Sequence, residues 1–184
     1  ESIALMLATV RIGAIHSVVF AGFGAGALAD RIKASGSRLV FTADKTYRKG
    51  KDVPLKGLVD AAMELGCDNV EQVIMLKRGG VDAPMVVGRD IGWDEFLARG
   101  EGQSGAHVPV ESNTPAFILA TSGTTAKPKL AIHKHGGYQV HIHSMGNWVF
   151  GLKETDIWWA TSDIGWIVGH SYMVYAPLLR GAST

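Results

Sequence analysis

Residues 121–130 read Thr-Ser-Gly-Thr-Thr-Ala-Lys-Pro-Lys-Leu and follow the apolar run Ala-Phe-Ile-Leu-Ala at residues 116–120. The apolar run predicts a buried strand, and the polar residues predict a loop at its end. Hydroxyl and backbone N–H groups donate hydrogen bonds and lysines add positive charge, so the loop is suited to an anion with several oxygens, above all a phosphate chain. The candidate ligands are Thr121, Ser122, Gly123, Thr124, Thr125, Lys127 and Lys129.

This loop is not a Walker A motif, because Pro128 follows Lys127 where that motif has Ser or Thr. A polar surface turn is the alternative interpretation, since clusters of Ser, Thr and Gly between periodic segments are typical of ordinary loops.

The composition describes a globular chain of nearly balanced charge. Of its 184 residues, 47% are hydrophobic and 19% are charged, which excludes a disordered chain. Lys and Arg number 18 against 17 Asp and Glu, so the overall charge gives no reason to expect a nucleic-acid or membrane partner. Cys67 is the single cysteine, which excludes an internal disulfide and favours the cytoplasm. No apolar run is long enough to span a bilayer.

The two ends of the chain predict an internal fragment. The first eight residues, Glu-Ser-Ile-Ala-Leu-Met-Leu-Ala, lack an initiator Met and the basic flank of a signal peptide. Residues 178–184 stop where a new strand could begin. We therefore expect residues 1–184 to be part of a larger domain that is truncated at both ends.

Alternating apolar patterns predict an α/β fold. A strand at residues 16–20, a helix at 27–34 and a strand at 38–42 form a βαβ unit, which implies a parallel sheet with a right-handed crossover. Residues 78–112, rich in Gly, Asp and Pro, are predicted to be a surface excursion with a short helix at 93–99. The other predicted helices are 1–14, 55–65, 136–150 and 171–179, and the other predicted strands are 71–76, 130–133 and 156–160.

The glycines at 22, 24 and 26 offer a second interpretation. They follow a predicted strand and open a helix, and Asp44 lies about twenty residues further on, as in a dinucleotide-binding fingerprint. The third glycine of that fingerprint falls at position 27, which is Ala. An NAD-dependent oxidoreductase is therefore an alternative, and a tight turn of the chain is the simpler reading.

Three further groups of residues are candidate sites. The basic loop of Lys45, Arg48, Lys49 and Lys51 is equally consistent with a solvated surface and with a phosphate clamp. The histidine pairs 133/135 and 141/143 lack an accompanying carboxylate or thiol, so we expect no metal site. Trp166, on a predicted loop between two glycines, suits either a pocket wall or a core plug.

Taken together, these motifs resemble the acyl-adenylate-forming enzymes, whose phosphate-binding signature is usually TSGTTGKPKG. Residues 163–172, Asp-Ile-Gly-Trp-Ile-Val-Gly-His-Ser-Tyr, are similar to the downstream segment of the acetyl- and propionyl-CoA synthetase branch. The stretch at 6–23 and the sequence Arg-Lys-Gly-Lys at 48–51 resemble the same branch. The resemblance covers nearly the whole chain and is weakest at 78–112.

The resemblance implies a layered slice of a large N-terminal domain and two half-reactions. ATP and a short-chain carboxylate give acyl-AMP and pyrophosphate, and CoA then displaces AMP. It implies that Thr121 and Lys129 are catalytic, that Trp166 and Ile167 line the acyl pocket, and that Arg48, Lys51 and Val168 bind CoA. The Mg²⁺ ligand, the ribose-binding Asp and the C-terminal domain with its catalytic Lys are expected beyond residue 184, so the chain alone is predicted to be inactive.

Three residues depart from the family pattern. Ala126 and Leu130 stand where glycines are usual, and either position would be strained if its backbone requires φ > 0. A nucleotide-binding protein with a degenerate loop is therefore the second functional hypothesis. Val168 replaces the Thr typical of acetyl-CoA synthetases and resembles the propionyl branch, which favours propionate or a related three-carbon acid.

Overall fold

The computed structural model describes residues 1–80, 83–121 and 129–184. They form two compact units, one of Glu1–Phe20 with Gly105–Thr184 and the other of Ala21–Ser104. Among the described residues, no helix is both long enough and apolar enough to cross a membrane. The assignment of residues 1–184 to one larger domain stays a prediction.

The helices and strands alternate along the chain. In chain order they are α1 (Ser2–Arg11), α2 (Ala25–Ser35), β1 (Leu39–Ala43), β2 (Thr46–Arg48), β3 (Lys51–Val53), α3 (Leu55–Met63), β4 (Gln72–Leu76), β5 (Asp90–Gly92), α4 (Trp93–Ala98), β6 (Pro115–Thr121), β7 (Lys129–Lys134), α5 (His135–Trp148), α6 (Ile167–Gly169), a π-helical segment (His170–Tyr175) and α7 (Ala176–Leu179).

A parallel sheet of order β1-β4-β5 organises the unit of Ala21–Ser104. Strands β1 and β4 align Leu39 with Gln72 and Ala43 with Leu76. The three central residues of β4 are buried, as expected for a strand covered on both faces. Helices α2 and α3 contribute Ala29, Ile32 and Ala62 to one cluster with Cys67. The predicted α/β fold with a parallel sheet is therefore confirmed.

The prediction that residues 78–112 are a surface excursion is wrong for β5. Its central residue Ile91 is buried and pairs with Ile74 of β4. Three residues are too few for periodicity to reveal, so the sequence did not indicate that this segment joins the sheet.

Buried charges connect β5 to α3. The Lys56 ammonium lies 2.7 Å from Asp60 Oδ1 and 2.8 Å from Asp90 Oδ2, and it donates to the Pro84 carbonyl. The side chains of Lys56 and Asp90 are both fully buried. Burial alone raises the pKa of Asp90, but hydrogen bonds from Arg89 and Lys56 lower it below its usual value. The carboxylate is therefore ionised and depends on these partners.

The second unit is built around the antiparallel pair β6–β7. Its register places Pro115 opposite Lys134 and Thr121 opposite Lys129, with an irregularity between Pro115 and Phe117. On the other side of β6, His16 forms an isolated parallel bridge with Phe117. Helix α5 follows β7 directly and packs against it.

Two predicted strands are wrong in extent. Residues 16–20 make only the bridge of His16 to Phe117, and residues 156–160 make only the bridge of Ile157 to Ser183. The predicted βαβ unit at 16–42 is also wrong, because His16 bridges to β6 whereas β1 pairs with β4. β-Branched and aromatic residues favour extended backbone, but a strand also needs a partner along its length.

Removal of the buried ammonium tests the role of this charge network. We expect Lys56→Met to lower the free energy of unfolding by about 3–5 kcal/mol, because Asp90 would be left buried without this partner. Urea unfolding followed by circular dichroism measures the change. Arg99→Gln is the control, since Arg99 and Glu95 form an exposed ion pair that contributes at most about 0.5 kcal/mol. A loss for Lys56→Met as small as that of the control would contradict the structural role.

Candidate active site

Pairing of β6 with β7 brings the two predicted catalytic residues together. Thr121 lies opposite Lys129, and the Thr121 hydroxyl donates to the Lys129 carbonyl at 3.2 Å. Both residues are exposed. The hydroxyl must exchange this partner in order to donate to a phosphate oxygen. The remaining phosphate-binding candidates, Ser122, Gly123, Thr124, Thr125 and Lys127, and the departure Ala126 lie outside the described residues.

Leu130 is accommodated without backbone strain. It lies in β7 and pairs with Ala120. Among the described residues, Lys49 is the only residue other than glycine with a positive φ. A left-handed backbone is therefore not required at Leu130, and the concern that Leu would be strained in place of Gly does not apply at this position.

Aromatic rings anchor β6 in the interior of its unit. Phe117 is fully buried and stacks on His133 of β7 at 4.5 Å and on His16 at 5.4 Å between ring centroids. It also stacks on His170 at 4.9 Å and meets Tyr138 edge-on at 4.7 Å. Such contacts add to the apolar burial of Phe117 and fix the strand that carries Thr121.

Two of these histidines are held neutral. Burial is the main cause that lowers the pKa of His16 to about 4, and the neighbouring His170 contributes in the same direction. Burial also lowers the pKa of His170 to about 4, although contacts with the backbone at Ile164 and Trp166 oppose the change. At neutral pH both rings are therefore uncharged and pack as aromatic groups.

The predicted acyl-pocket and CoA residues are adjacent at the start of a helical run. Trp166 caps α6, and Ile167 and Val168 lie in its first turn, so the prediction that the helix begins at residue 171 is wrong. Gly169 allows this helical start to approach residue 163 closely, because a Cβ there would clash with the backbone of Asp163. Each of the three side chains is nearly half exposed, and the Trp166 ring packs against Phe20 at 5.8 Å.

Ile167 and Val168 line a cleft of about 520 Å³ between β7, α5 and the helical run. The Tyr138 hydroxyl and the Ser171 Oγ form a hydrogen bond of 2.9 Å on its wall. Burial raises the pKa of Tyr138, so this hydroxyl stays protonated. The lining residues are Ile132, His133, Lys134, Gly137, Tyr138, His141, Ile142, Ile167, Val168, Ser171 and Tyr172.

Sequence reasoning missed Tyr138 and Ser171. They are 33 residues apart, so no local motif relates them. Their contact arises because α5 packs against the π-helical segment. A π-helical segment beside a cleft is common at functional sites, and nothing in residues 170–175 predicted it.

Arg48 and Lys51 also meet, in the unit of Ala21–Ser104. They pair across the hairpin β2–β3, and the turn between them is Lys49 with φ 50° and Gly50 with φ 74°. Two consecutive positive φ values define the tight turn that suits antiparallel strands. The hairpin places two cations side by side on an exposed surface.

Asp44 does not serve as a ribose-binding carboxylate. It is buried and accepts hydrogen bonds from the backbone N–H groups of Lys45 at 2.7 Å, Arg78 at 3.0 Å and Gly79 at 2.9 Å. The carboxylate thus joins the loops that follow β1 and β4. The dinucleotide-binding interpretation of residues 22–44 requires Asp44 as its acidic residue, so the structure argues against that interpretation.

The histidine pairs make packing and polar contacts. His133 stacks on Phe117, and the Arg180 guanidinium lies 3.0 Å from His143 Nε2. Within residues 1–80, 83–121 and 129–184, no three His, Cys, Asp or Glu side chains are grouped as metal ligands.

Comparison with known proteins assigns the chain to a family. The AMP-binding enzyme family matches residues 1–184, so the chain belongs to that family.

Among relatives, the acetyl-coenzyme A synthetase of Pyrobaculum aerophilum is 52% identical over 183 residues, which cover 97% of this chain and 27% of that protein. The 3-hydroxypropionyl-coenzyme A synthetase of Sulfurisphaera tokodaii is 51% identical over 186 residues, covering 100% of this chain and 28% of that protein. The acetyl-coenzyme A synthetase of Rhodopirellula baltica is 48% identical over 178 residues, covering 97% and 26%. The chain thus spans about a quarter of the length of these curated relatives.

The buried histidines predict loss of stability in mild acid. Their pKa values of about 4 lie below the ordinary value of 6.5, so the unfolded chain binds protons between these limits while the folded chain does not. The contribution of the two neutral histidines to the free energy of unfolding is complete above about pH 6.5 and is lost as the pH falls towards 4. The free energy of unfolding then falls by at most about 1.4 kcal/mol per pH unit for each histidine. Urea unfolding from pH 7 to pH 4 measures the slope.

Removing one of the two histidines should reduce this slope. We expect His16→Phe to flatten the pH profile, whereas His107→Gln, at an exposed position, should leave it unchanged. Parallel profiles for the wild-type protein and His16→Phe would contradict the assignment.

Proposed function

We propose that this chain is part of an AMP-forming short-chain acyl-CoA synthetase. The observation that carries the proposal is the pairing of Thr121 with Lys129 at the two ends of the phosphate-loop segment. The cleft lined by Ile167 and Val168, in the same unit, supports it. The family match over residues 1–184 and the names of the similar proteins agree with this activity.

The first half-reaction joins the carboxylate to AMP. A carboxylate oxygen attacks the α-phosphorus of ATP, and the bond from that phosphorus to the bridging oxygen breaks as pyrophosphate leaves. A carboxylate is a weak nucleophile, so catalysis depends on alignment and on neutralising charge at the leaving group. The Lys129 ammonium and the Thr121 hydroxyl would bind the β- and γ-phosphates together with the loop residues between them.

The second half-reaction transfers the acyl group to CoA. The CoA sulfur attacks the acyl carbon, the bond to the AMP oxygen breaks, and the thiol proton is released. Val168 would lie beside the arriving thiol, and Arg48 and Lys51 would bind phosphates at the nucleotide end of CoA.

Mg²⁺ would accompany ATP, with its protein ligand outside this chain. Cys67 is buried and is the single cysteine of the chain, which excludes an internal disulfide and suits a reducing compartment, so we place the enzyme in the cytoplasm.

A nucleotide-binding protein without turnover is the second candidate function. The departure at Ala126 favours it, because Ala restricts the backbone where the family usually has Gly. Strain at Leu130 would also have favoured a binding protein without turnover, but Leu130 lies in β7 without a positive φ, so this second argument does not hold.

Replacement of Lys129 tests adenylation. In the full-length protein, we expect ATP–pyrophosphate exchange that requires a carboxylate, and we expect Lys129→Ala to reduce its rate by about 100-fold or more. Lys153→Ala is the control, since it removes an exposed lysine of the same unit. Absence of exchange with acetate, propionate and 3-hydroxypropionate, with ATP still bound, would favour the binding protein and make Ala126→Gly the next variant.

Replacement of Ile167 tests the acyl pocket. We expect kcat/KM to be higher for propionate than for acetate, and we expect Ile167→Ala to shift the preference towards butyrate by about tenfold, because the pocket gains room for one methylene. Ile157→Ala removes an exposed isoleucine and should leave the ranking unchanged. An unchanged ranking in Ile167→Ala would remove Ile167 from the acyl pocket.

A further inference from the structure

The hairpin β2–β3 has two faces that differ in charge. Side chains alternate between faces along a strand, and residues paired across the strands share a face. Tyr47 and Asp52 are paired and therefore lie on one face. On that face the Lys45 ammonium lies 2.7 Å from Asp52 Oδ2 and 5.0 Å from the centre of the Tyr47 ring. The hydrogen bond to Asp52 raises the pKa of Lys45, so this face carries a cation with its counterion.

The opposite face carries Thr46, Arg48 and Lys51. Arg48 and Lys51 are direct cross-strand partners, and Thr46 lies two residues before Arg48 on the same strand. Like charges directly opposite on a hairpin repel each other. The tight turn through Lys49 and Gly50 holds the two cations on neighbouring positions, so both would attract an anion that lies between them.

Arg78 reaches the same face from another part of the chain. It follows β4, and its Nη1 donates to the Thr46 hydroxyl at 3.3 Å. Its backbone N–H donates to Asp44 Oδ1 at 3.0 Å, and the next N–H, of Gly79, donates to the same carboxylate. The backbone of Arg78 is thus held by a buried group, while its guanidinium is directed towards the face of Arg48 and Lys51.

This surface lies where ligands commonly bind in parallel α/β sheets. Asp44 and Lys45 follow β1, and Lys77 and Arg78 follow β4, so the hairpin and Arg78 meet at the carboxyl ends of two parallel strands. Loops at these ends supply most ligand contacts in such folds. The loop after β4 brings Arg78 there although 30 residues separate it from Arg48, so no local motif indicated it.

We propose that Arg78 is the third cation of a phosphate-binding surface formed with Arg48 and Lys51, and that this surface binds phosphates at the nucleotide end of CoA. The inference rests on the proposed function and adds a residue to it. A guanidinium can donate two parallel hydrogen bonds to a phosphate, which a lysine cannot. Because the three side chains are exposed, their attraction for phosphate weakens as salt is added.

The test compares three variants of the full-length protein. Arg78→Gln removes the charge, and Arg78→Lys keeps it. Arg38→Gln is the matched control, because Arg38 pairs with Glu71 at the amino ends of β1 and β4, away from the hairpin. For each variant, KM for CoA is measured in the complete reaction, and ATP–pyrophosphate exchange without CoA reports whether the protein is folded.

We expect Arg78→Gln to raise KM for CoA by about tenfold, Arg78→Lys to raise it less, and Arg38→Gln to leave it within about twofold. The difference between the wild-type protein and Arg78→Gln should shrink as KCl is raised. An unchanged KM in Arg78→Gln, an equal rise in Arg38→Gln, or a rise that Arg78→Lys does not reduce would overturn the proposal.

Repeating the comparison with 3′-dephospho-CoA identifies the phosphate. An effect of Arg78→Gln that disappears with this analogue assigns Arg78 to the 3′-phosphate, and an effect that persists assigns it to the diphosphate. If the wild-type protein shows no exchange with any acid, the proposed function is contradicted, but this result does not test the role of Arg78. Direct titration of the same variants with CoA then decides the role of Arg78, which stands only if Arg78→Gln weakens binding.

Discussion

The register of β6 against β7 is the constraint on which the candidate site depends. It sets Thr121 opposite Lys129, so the chain that leaves β6 returns beside it at the start of β7. A shift of one residue in this register would turn the side chains of one strand to the opposite face, so Thr121 and Lys129 would no longer share a face. The buried ring of Phe117, stacked on His133 across the pair and bridged by His16 on the other side, opposes such a shift.

The sequence predicted elements where local pattern decides them. Helices α2, α3 and α5 and strands β1, β4, β6 and β7 lie within a few residues of their predicted positions. Which strands pair with each other could not be predicted from local pattern. Residues 16–20 have strand propensity but only one bridging residue, whereas β5 has almost no pattern and still completes a sheet, because pairing is decided by neighbours distant in sequence.

The residues of the candidate site also fall into two groups, those that local motifs reveal and those that only packing brings together. Thr121, Lys129, Arg48 and Lys51 lie in short motifs whose composition suits phosphate, and they could be found from the sequence. Tyr138 and Ser171, or Arg78 and Thr46, become neighbours only through packing across 32 or 33 residues of chain. The helical start at Ile167 was missed because the glycines around it suggest a loop, whereas Gly169 is needed for close approach of the helix to Asp163.

A crystal structure of the full-length protein with ATP tests the central claim most directly. The account predicts that Thr121 remains paired with Lys129 and that the Lys129 ammonium and the Thr121 hydroxyl both lie within about 3.2 Å of phosphate oxygens. ATP bound with its phosphates away from the start of β7, or a hairpin in a different register, would contradict it.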